Sequence, residues 1–457
     1  MKQNIIKITF LLAVMCSFQV HGQDSVSGRA STQWWQEAKL GFFIHWGAYA
    51  VGGAGEQVMM REQIPVDEYQ QWVDDFVPNQ GCMDSLVRFA KEIGMKYVVL
   101  TTRHHDGFCL FNTQTTDFNS VKSTAGRDFV KEFVEACRKY DMRIGLYYSI
   151  GNWRNEGSWE SDLEESAYTK MADEAHNQVR ELMTNYGKVD ILWFDGAWFV
   201  AKRGYTTKDG KNKTFWRSEE LQSMVRNLQP DILINNRGGG MPGDFITPEG
   251  HIGPNAEGLP WESCMTLGYT PGWGYMRNNA TLRNANLMIY QMMDAIRLGG
   301  NFLLNVGPNE KGEIPPPEKT ILQEIGQYVN NNQEAIYKTE LNENFYDISN
   351  GYTQGMNFHY GPWTFKENVG YLHVFRWGGK HVMLSNITSG INAASLLASD
   401  KPLEVNKTTN NRHEITGISP DQKVPFVIEV VFEEKPGTYG YKAHGAKWLE
   451  GELNLEK

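Results

Sequence analysis

Several apolar runs in this chain end on residues that can do chemistry. "LGFFI" leads into His45-Trp46, and "YVVLTTR" into His104-His105-Asp106. "RIGLYYS" contains Tyr147-Tyr148, "VDILWF" runs into Asp195-Gly196, and "DILIN" into Asn236-Arg237. A carboxylate can attack an electrophilic carbon or exchange a proton. Imidazoles, phenols and a guanidinium can hold hydroxyl groups around it. Taken singly, each residue has an ordinary explanation. A histidine after a strand usually belongs to a loop, and an acid before glycine often caps a turn. Their joint occurrence points to one polar rim.

Metal chemistry does not fit these histidines. His104 and His105 are adjacent, and neighbours on an extended segment point to opposite sides. No HxH or HExxH spacing is present, so neither a metal nor another cofactor is expected. Hydrogen bonding to substrate hydroxyls suits the same residues.

The elements that must position this rim follow from periodicity. From about residue 39 to 338, short apolar runs alternate with helical patterns. Leu86, Phe89, Ala90 and Ile93 are spaced as one face of a helix that Gly94 ends. Further helices are expected around Val130–Cys137, Ser166–Tyr186, Leu221–Leu228, Ala285–Leu298 and Lys319–Asn331. The strands between them are Phe42–His45, Tyr97–Thr101, Ile144–Tyr148, Ile191–Asp195, Ile232–Asn235 and Phe302–Val306. Two more are expected near Phe245–Thr247 and Trp261–Cys264. Such alternation implies parallel βα units. Eight strands over this length predict an α/β fold of the (β/α)8-like (TIM) barrel type, whose active site lies at the C-terminal strand ends. A doubly wound sheet is the rival, but no GxGxxG turn follows the first strand. Beyond about Thr339, "YLHVFRW", "HVMLSN" and "FVIEVVFE" predict a small C-terminal antiparallel β-sandwich. The expected organisation is thus a leader over 1–22, a catalytic domain over 23–338 and the sandwich over 339–457.

The chain has 457 residues and is 41% hydrophobic, enough for a large core. Aromatics reach 12%, including 14 Trp, which suits either a large core or a surface that stacks on sugar rings. The net charge is −10, which argues against nucleic acid and anionic membranes as partners. The start "MKQNIIKITFLLAVMCSFQVHG" has two lysines and an apolar run too short to span a membrane. It reads as a bacterial secretory leader, giving a secreted, periplasmic protein. Met15 before Cys16 does not fit a lipoprotein signal. Cys82, Cys109, Cys137 and Cys264 form no CxxC pair, so no zinc ribbon is expected.

Six segments in order resemble the α-L-fucosidases of glycoside hydrolase family 29. They are "WWQEAKLGFFIHWGAYAV", "GMKYVVLTTRHHDGF", "GLYYSIGNW", "YGKVDILWFDG", "PWESCMTLGYTPGWGY" and "NFLLNVGPNEKGEIP". The resemblance implies a (β/α)8-like barrel followed by a β-sandwich. It also implies a retaining exo-glycosidase that releases terminal α-L-fucose from an oligosaccharide or glycoconjugate. Retention needs two carboxyl groups about 5 Å apart. The family's nucleophile falls on Asp195. The acid/base falls on Glu262 in "PWESC", with Glu249 in "ITPEG" as runner-up. His45, His104, His105 and Tyr148 match positions that bind fucose hydroxyls or support the nucleophile. Trp193 lies two residues before Asp195 and so faces the same side. Arg237 and Trp273 complete the expected pocket, and Phe42, Phe43 and Trp273 are candidates to receive the sugar's methyl group.

One departure matters. Where the family often has Glu-Trp after the first strand, this chain has Glu56-Gln57. Gln57 can hydrogen-bond but cannot stack. A glycosidase for a related sugar such as L-galactose, or a catalytically silent carbohydrate-binding relative, is therefore the alternative reading. Sequence leaves linkage, aglycone and oligomeric state open.

Overall fold

The computed structural model describes residues 31–160, 163–199, 215–253, 258–269, 272–345, 359–408 and 412–439. The expected leader lies outside the described residues. Seven parallel strands carry the first sheet: β1 (Leu40–Ile44), β2 (Tyr97–Arg103), β3 (Arg143–Ser149), β4 (Ile191–Asp195), β5 (Leu233–Ile234), β6 (Glu262–Thr266) and β7 (Asn301–Val306). Their order is β5-β4-β3-β2-β1-β7-β6. Among the described residues, ten helices accompany them. The first four precede α5: α1 (Gln33–Ala38), α2 (Tyr49–Gly52), α3 (Val58–Arg61) and α4 (Val66–Asp75). The layer packed on the sheet is α5 (Cys82–Glu92), α6 (Phe129–Lys139), α7 (Glu165–Asn185), α8 (Ser218–Leu228), α9 (Ala285–Arg297) and α10 (Pro316–Asn331).

Local chemistry starts these helices where the sequence suggests. The Asp128 carboxylate accepts from the Lys131 amide at the start of α6, and the Asn284 side chain does the same for Leu287 at α9. Strand residues alternate between two cores. Phe43, Tyr97, Val99, Tyr147, Ile191, Trp193 and Leu303 fill the interior of the curled sheet. Phe42, Ile44, Val98, Leu146, Tyr148 and Phe194 pack outward against the helices.

The sheet curls into a barrel-like shape that does not close by a regular ladder. Among the described residues, only isolated bridges run between β5 and β6: Asn235 to Phe245, Ile246 to Trp261, and Glu249 to Cys264. The strand expected near Phe245–Thr247 is reduced to these single contacts. Pro242, Pro248 and Pro260 flank it, and proline cannot donate to a ladder. The strand expected near Trp261–Cys264 forms, as β6, and begins at Glu262.

A second, antiparallel sheet follows: β8 (Trp363–Lys366), β9 (Val369–Val374), β10 (Val382–Leu384), β11 (Ile391–Leu396), β12 (Lys401–Thr408), β13 (Arg412–Thr416) and β14 (Phe426–Phe432). Its order is β10-β13-β12-β11-β14-β9-β8, around its own core of Trp363, Phe365, Leu372, Ile428 and Phe432. His373 joins the two sheets. The Thr364 hydroxyl donates to the Ala335 carbonyl at 2.5 Å, so toward His373 Nε2, 2.9 Å away, its oxygen can only accept. Nε2 therefore carries the proton, and Nδ1 accepts from the Tyr328 hydroxyl of α10 at 2.6 Å. Burial holds this imidazole neutral by lowering its pKa to about 3.

Cys82, Cys109, Cys137 and Cys264 are all free thiols and all buried. No helix among the described residues is long and apolar enough to cross a membrane.

Candidate active site

A pocket opens at the C-terminal ends of the parallel strands. Register puts the strand ends level: Ile44 pairs with Leu100 and Val306, Thr101 with Tyr147, and Ser149 with Asp195. His45, Glu56, His104, His105, Trp193, Asp195, Arg237 and Trp273 all line it, as does Glu249.

Asp195 is the last residue of β4, and its side chain is 13% exposed. One oxygen accepts from the Tyr147 hydroxyl at 3.1 Å and the other from Arg237 Nη1 at 3.2 Å. Burial, reinforced by the Asp195 charge, keeps the Tyr147 hydroxyl protonated far above the usual phenol range, so it stays a donor. Gly196 lets the chain turn away sharply. Its φ is +72°, and a Cβ there would lie 2.6 Å from Ser149 Oγ and 2.9 Å from His105 Nδ1.

Arg237 ties two carboxylates together. Its Nη1 donates to Asp195 and also to Glu249 at 2.7 Å. Its Nε and Nη2 are fixed by Thr247, and the guanidinium stacks 5.0 Å over the Trp193 ring. Burial opposes its charge, but Asp195 foremost, with Glu249, raises its pKa above the ordinary value. Glu249 is 45% exposed and stands at the pocket mouth.

Glu262, the acid/base expected from sequence, does not line the pocket. It is the first residue of β6, paired in register with Asn301. That is the N-terminal end of the strands, the floor of the barrel. It is fully buried at 0% exposure, between the Tyr97 hydroxyl and the Trp193 indole N–H. Burial pushes its carboxyl up to about 7. Tyr148 is likewise turned away: its hydroxyl meets Gln178 of α7, and Arg103 lies over its ring. Strand alternation gives the inward position to Tyr147 instead. Among the candidates for a methyl-receiving wall, Phe43 and Trp273 line the pocket. Phe42 packs outward against Phe89.

The pocket histidines are neutral, and their partners fix the tautomers. The Asn305 amide nitrogen donates to the Trp273 carbonyl, so its oxygen accepts from His45 Nδ1 at 2.6 Å. Ser149 donates its one hydroxyl proton to the Gly151 carbonyl, so it accepts from His105 Nδ1 at 2.6 Å. In both rings Nε2 is left with a lone pair. Burial lowers both pKa values to about 3, and lowers His104 far below its usual value. His45 and His105 thus present Nε2 as an acceptor, that of His105 lying 3.7 Å from an Asp195 oxygen. Glu56 is nearly fully buried and accepts from the Trp273 and Gly274 amides. Gln57 lines the pocket and accepts from Arg61. Trp198, Cys264 and Asn305 belong to the site without any sequence signal of their own. Among the described residues no group of His, Cys, Asp and Glu converges as a metal site.

A family model described as alpha-L-fucosidase matches residues 15–334. An alpha-L-fucosidase of Dictyostelium discoideum is 27% identical over 74% of this chain and 78% of its own. The solved alpha-L-fucosidase isoenzyme 1 of Paenibacillus thiaminolyticus is 31% identical, with a TM-score of 0.77 over 88% of this chain and 99% of that one. A family 29 alpha-L-fucosidase of Bacteroides thetaiotaomicron, 25% identical over 89% of this chain and 97% of its own, has a TM-score of 0.75. That structure is a trapped covalent intermediate with 2-fluoro-fucosyl fluoride in a glutamate-to-glutamine mutant.

Proposed function

The chain belongs to the α-L-fucosidase family, glycoside hydrolase family 29, and on that premise we propose that it hydrolyses terminal α-L-fucosides with retention, using Asp195 as nucleophile and Glu249 as acid/base. The observation that carries this reading is the shared Arg237 Nη1. Both carboxylates bond to that one nitrogen, at 3.2 and 2.7 Å. The two oxygens that share it are therefore no more than about 6 Å apart, which brings the two carboxyl groups to opposite sides of one guanidinium, as a pair acting on one anomeric carbon requires.

In the first step an Asp195 oxygen bonds to the anomeric carbon as the glycosidic C–O bond breaks. Glu249 gives its proton to the departing oxygen. In the second, Glu249 takes a proton from water, the water oxygen attacks the same carbon, and Asp195 leaves. Arg237 serves both steps. While Asp195 is tied up as a neutral ester, Glu249 becomes the guanidinium's sole carboxylate partner in the pair. His45 and His105 receive sugar O–H groups at Nε2, and Phe43 with Trp273 offers an apolar wall for the fucose methyl.

Azide separates the two carboxylates. Asp195→Gly should lose turnover by several orders of magnitude, and azide should then give β-fucosyl azide from the vacated face. Glu249→Ala should keep activity on substrates with good leaving groups, lose it on natural linkages, and give α-fucosyl azide. Near-full activity of Asp195→Gly would refute the assignment. Loss of natural-linkage activity confined to Glu262→Ala would return the proton-transfer role to Glu262. The leader over 1–22 is part of the same reading. Mature protein exported from a bacterial host should begin at Gln23, and a periplasmic product still starting at Met1 would exclude cleavage there.

A further inference from the structure

We propose that an aromatic strip at the pocket mouth, formed by Trp198, Phe199 and Trp159, is the binding site for the leaving part of the substrate, a pyranose-containing oligosaccharide. The inference rests on the fucosidase reading and extends it beyond the sugar that is cleaved.

On that reading the pocket at the strand ends, between Asp195, His45, His105 and Trp273, receives the fucose that is cleaved. Whatever the fucose was attached to must lie outside it. Among the described residues, the exposed large apolar side chains include only three aromatics: Trp159, Trp198 and Tyr269. Two of the three stand together here. Trp198 is 42% exposed, lines the pocket and sits 6.2 Å from the His105 ring. Phe199 is half-buried, 5.6 Å from Trp198 and 4.8 Å from His105. Trp159 is 49% exposed and 6.5 Å from Phe199. The strip thus leads outward from the catalytic rim, ring by ring.

It is braced rather than loose. The Trp159 indole N–H donates to the Trp153 carbonyl at 2.7 Å, which fixes the ring's orientation. Trp153 packs on both His105 and Phe199, and its amide donates to the His105 carbonyl. The Phe199 amide donates to Gly196, the residue after the nucleophile. Exposing two tryptophans to water is costly unless a ligand covers them, and such patches mark ligand-binding grooves. Continuity with the pocket selects the ligand. Where the strip adjoins the pocket, beside His105, it presents flat apolar rings. That matches the C–H face of a pyranose with equatorial substituents.

The test compares two substrates in one variant. α-L-Fucosyl fluoride has no sugar aglycone; fucosyllactose, used as both common positional isomers, has one. In Trp159→Ala the ratio of kcat/KM for fucosyllactose to that for fucosyl fluoride should fall about tenfold, the effect of losing ~1.4 kcal/mol of stacking. Trp159→Phe should recover most of the ratio. With the wild-type protein, lactose should quench tryptophan fluorescence and inhibit competitively, and Trp159→Ala should weaken both effects. An unchanged ratio in Trp159→Ala, or lactose without effect on the wild type, overturns the proposal. Failure of the wild type to turn over fucosyl fluoride would sink the fucosidase reading instead.

Discussion

The site works by what its side chains have already given away. His45 and His105 each spend their one proton on a neighbour, Asn305 and Ser149. What remains for a sugar is a lone pair on each ring. Asn305→Ala removes the partner that sets the His45 tautomer, so the ring can turn its proton toward an incoming hydroxyl. KM for an aryl α-L-fucoside should rise about tenfold, the scale of one misdirected buried hydrogen bond, with a smaller change in kcat. An unchanged KM would mean that His45 does not hold the sugar. These tautomers were not legible in the sequence, because Asn305 and Ser149 lie on other strands. The strand-end residues themselves were legible. Asp195, His45, His105 and Arg237 follow apolar runs, and parallel strands bring their ends to one rim. The motif match falls on Tyr148 because a motif ignores which neighbour faces inward. Counting by twos from Trp193 and Asp195, and from Tyr147 to its registered partner Trp193, would have picked Tyr147.

At the scale of elements, the two glutamates exchange places. Glu262 opens β6 and therefore stands at the floor, whereas Glu249 lies on the bridge between β5 and β6. Nothing in "PWESC" reveals that the strand starts at its glutamate, so the end of the barrel could not be read. The floor position carries its own consequence. Glu262 is held at about 7, against an ordinary 4.5, chiefly by burial. Below pH 4.5 both folded and unfolded forms are protonated. As pH rises from 4.5 to 7 the unfolded form ionises and the folded one does not, so stability falls through that window. The loss amounts to about 3 kcal/mol. Glu262→Gln has no such slope. Its stability relative to the wild type should therefore grow from pH 5 to pH 8, as measured by thermal or urea unfolding. A constant difference across that range would mean that Glu262 is ionised in the fold. The helices were the most legible elements: α5, α6, α9 and α10 fall within a few residues of the periodic patterns. In the second sheet, β9, β10 and β14 were visible as apolar runs. β12 and β13 were not, because they are largely exposed and carry polar residues.

Across the whole molecule, the relay through Tyr328, His373, Thr364 and Ala335 stitches the parallel sheet's last helix to the antiparallel sheet. Tyr328→Phe leaves His373 Nδ1 buried without its donor and should cost about 1–3 kcal/mol, with fucosidase activity below the unfolding transition unchanged. An unaltered unfolding midpoint would show that the relay carries no stability. His373 also gives the molecule an acid limit. Its folded pKa of about 3 lies below the usual 6.5, so on acidification from pH 6.5 the unfolded chain gains a proton that the folded one refuses. Stability should decline through that window, and less steeply in His373→Gln. The incomplete closure between β5 and β6 reaches further than stability. Asp195, the proposed nucleophile, rides on the registered ladder of β4, and any descendant of this chain must keep that register to keep its core. Glu249, the proposed proton donor, rides on a proline-broken segment with no ladder to preserve. Insertions or deletions there can shift the donor along the chain, so long as it still meets Arg237. Within a lineage built on this scaffold the attacking carboxylate would align at sight while its partner drifted. The choice of leaving group could then be rewritten in one loop without disturbing the barrel beneath it.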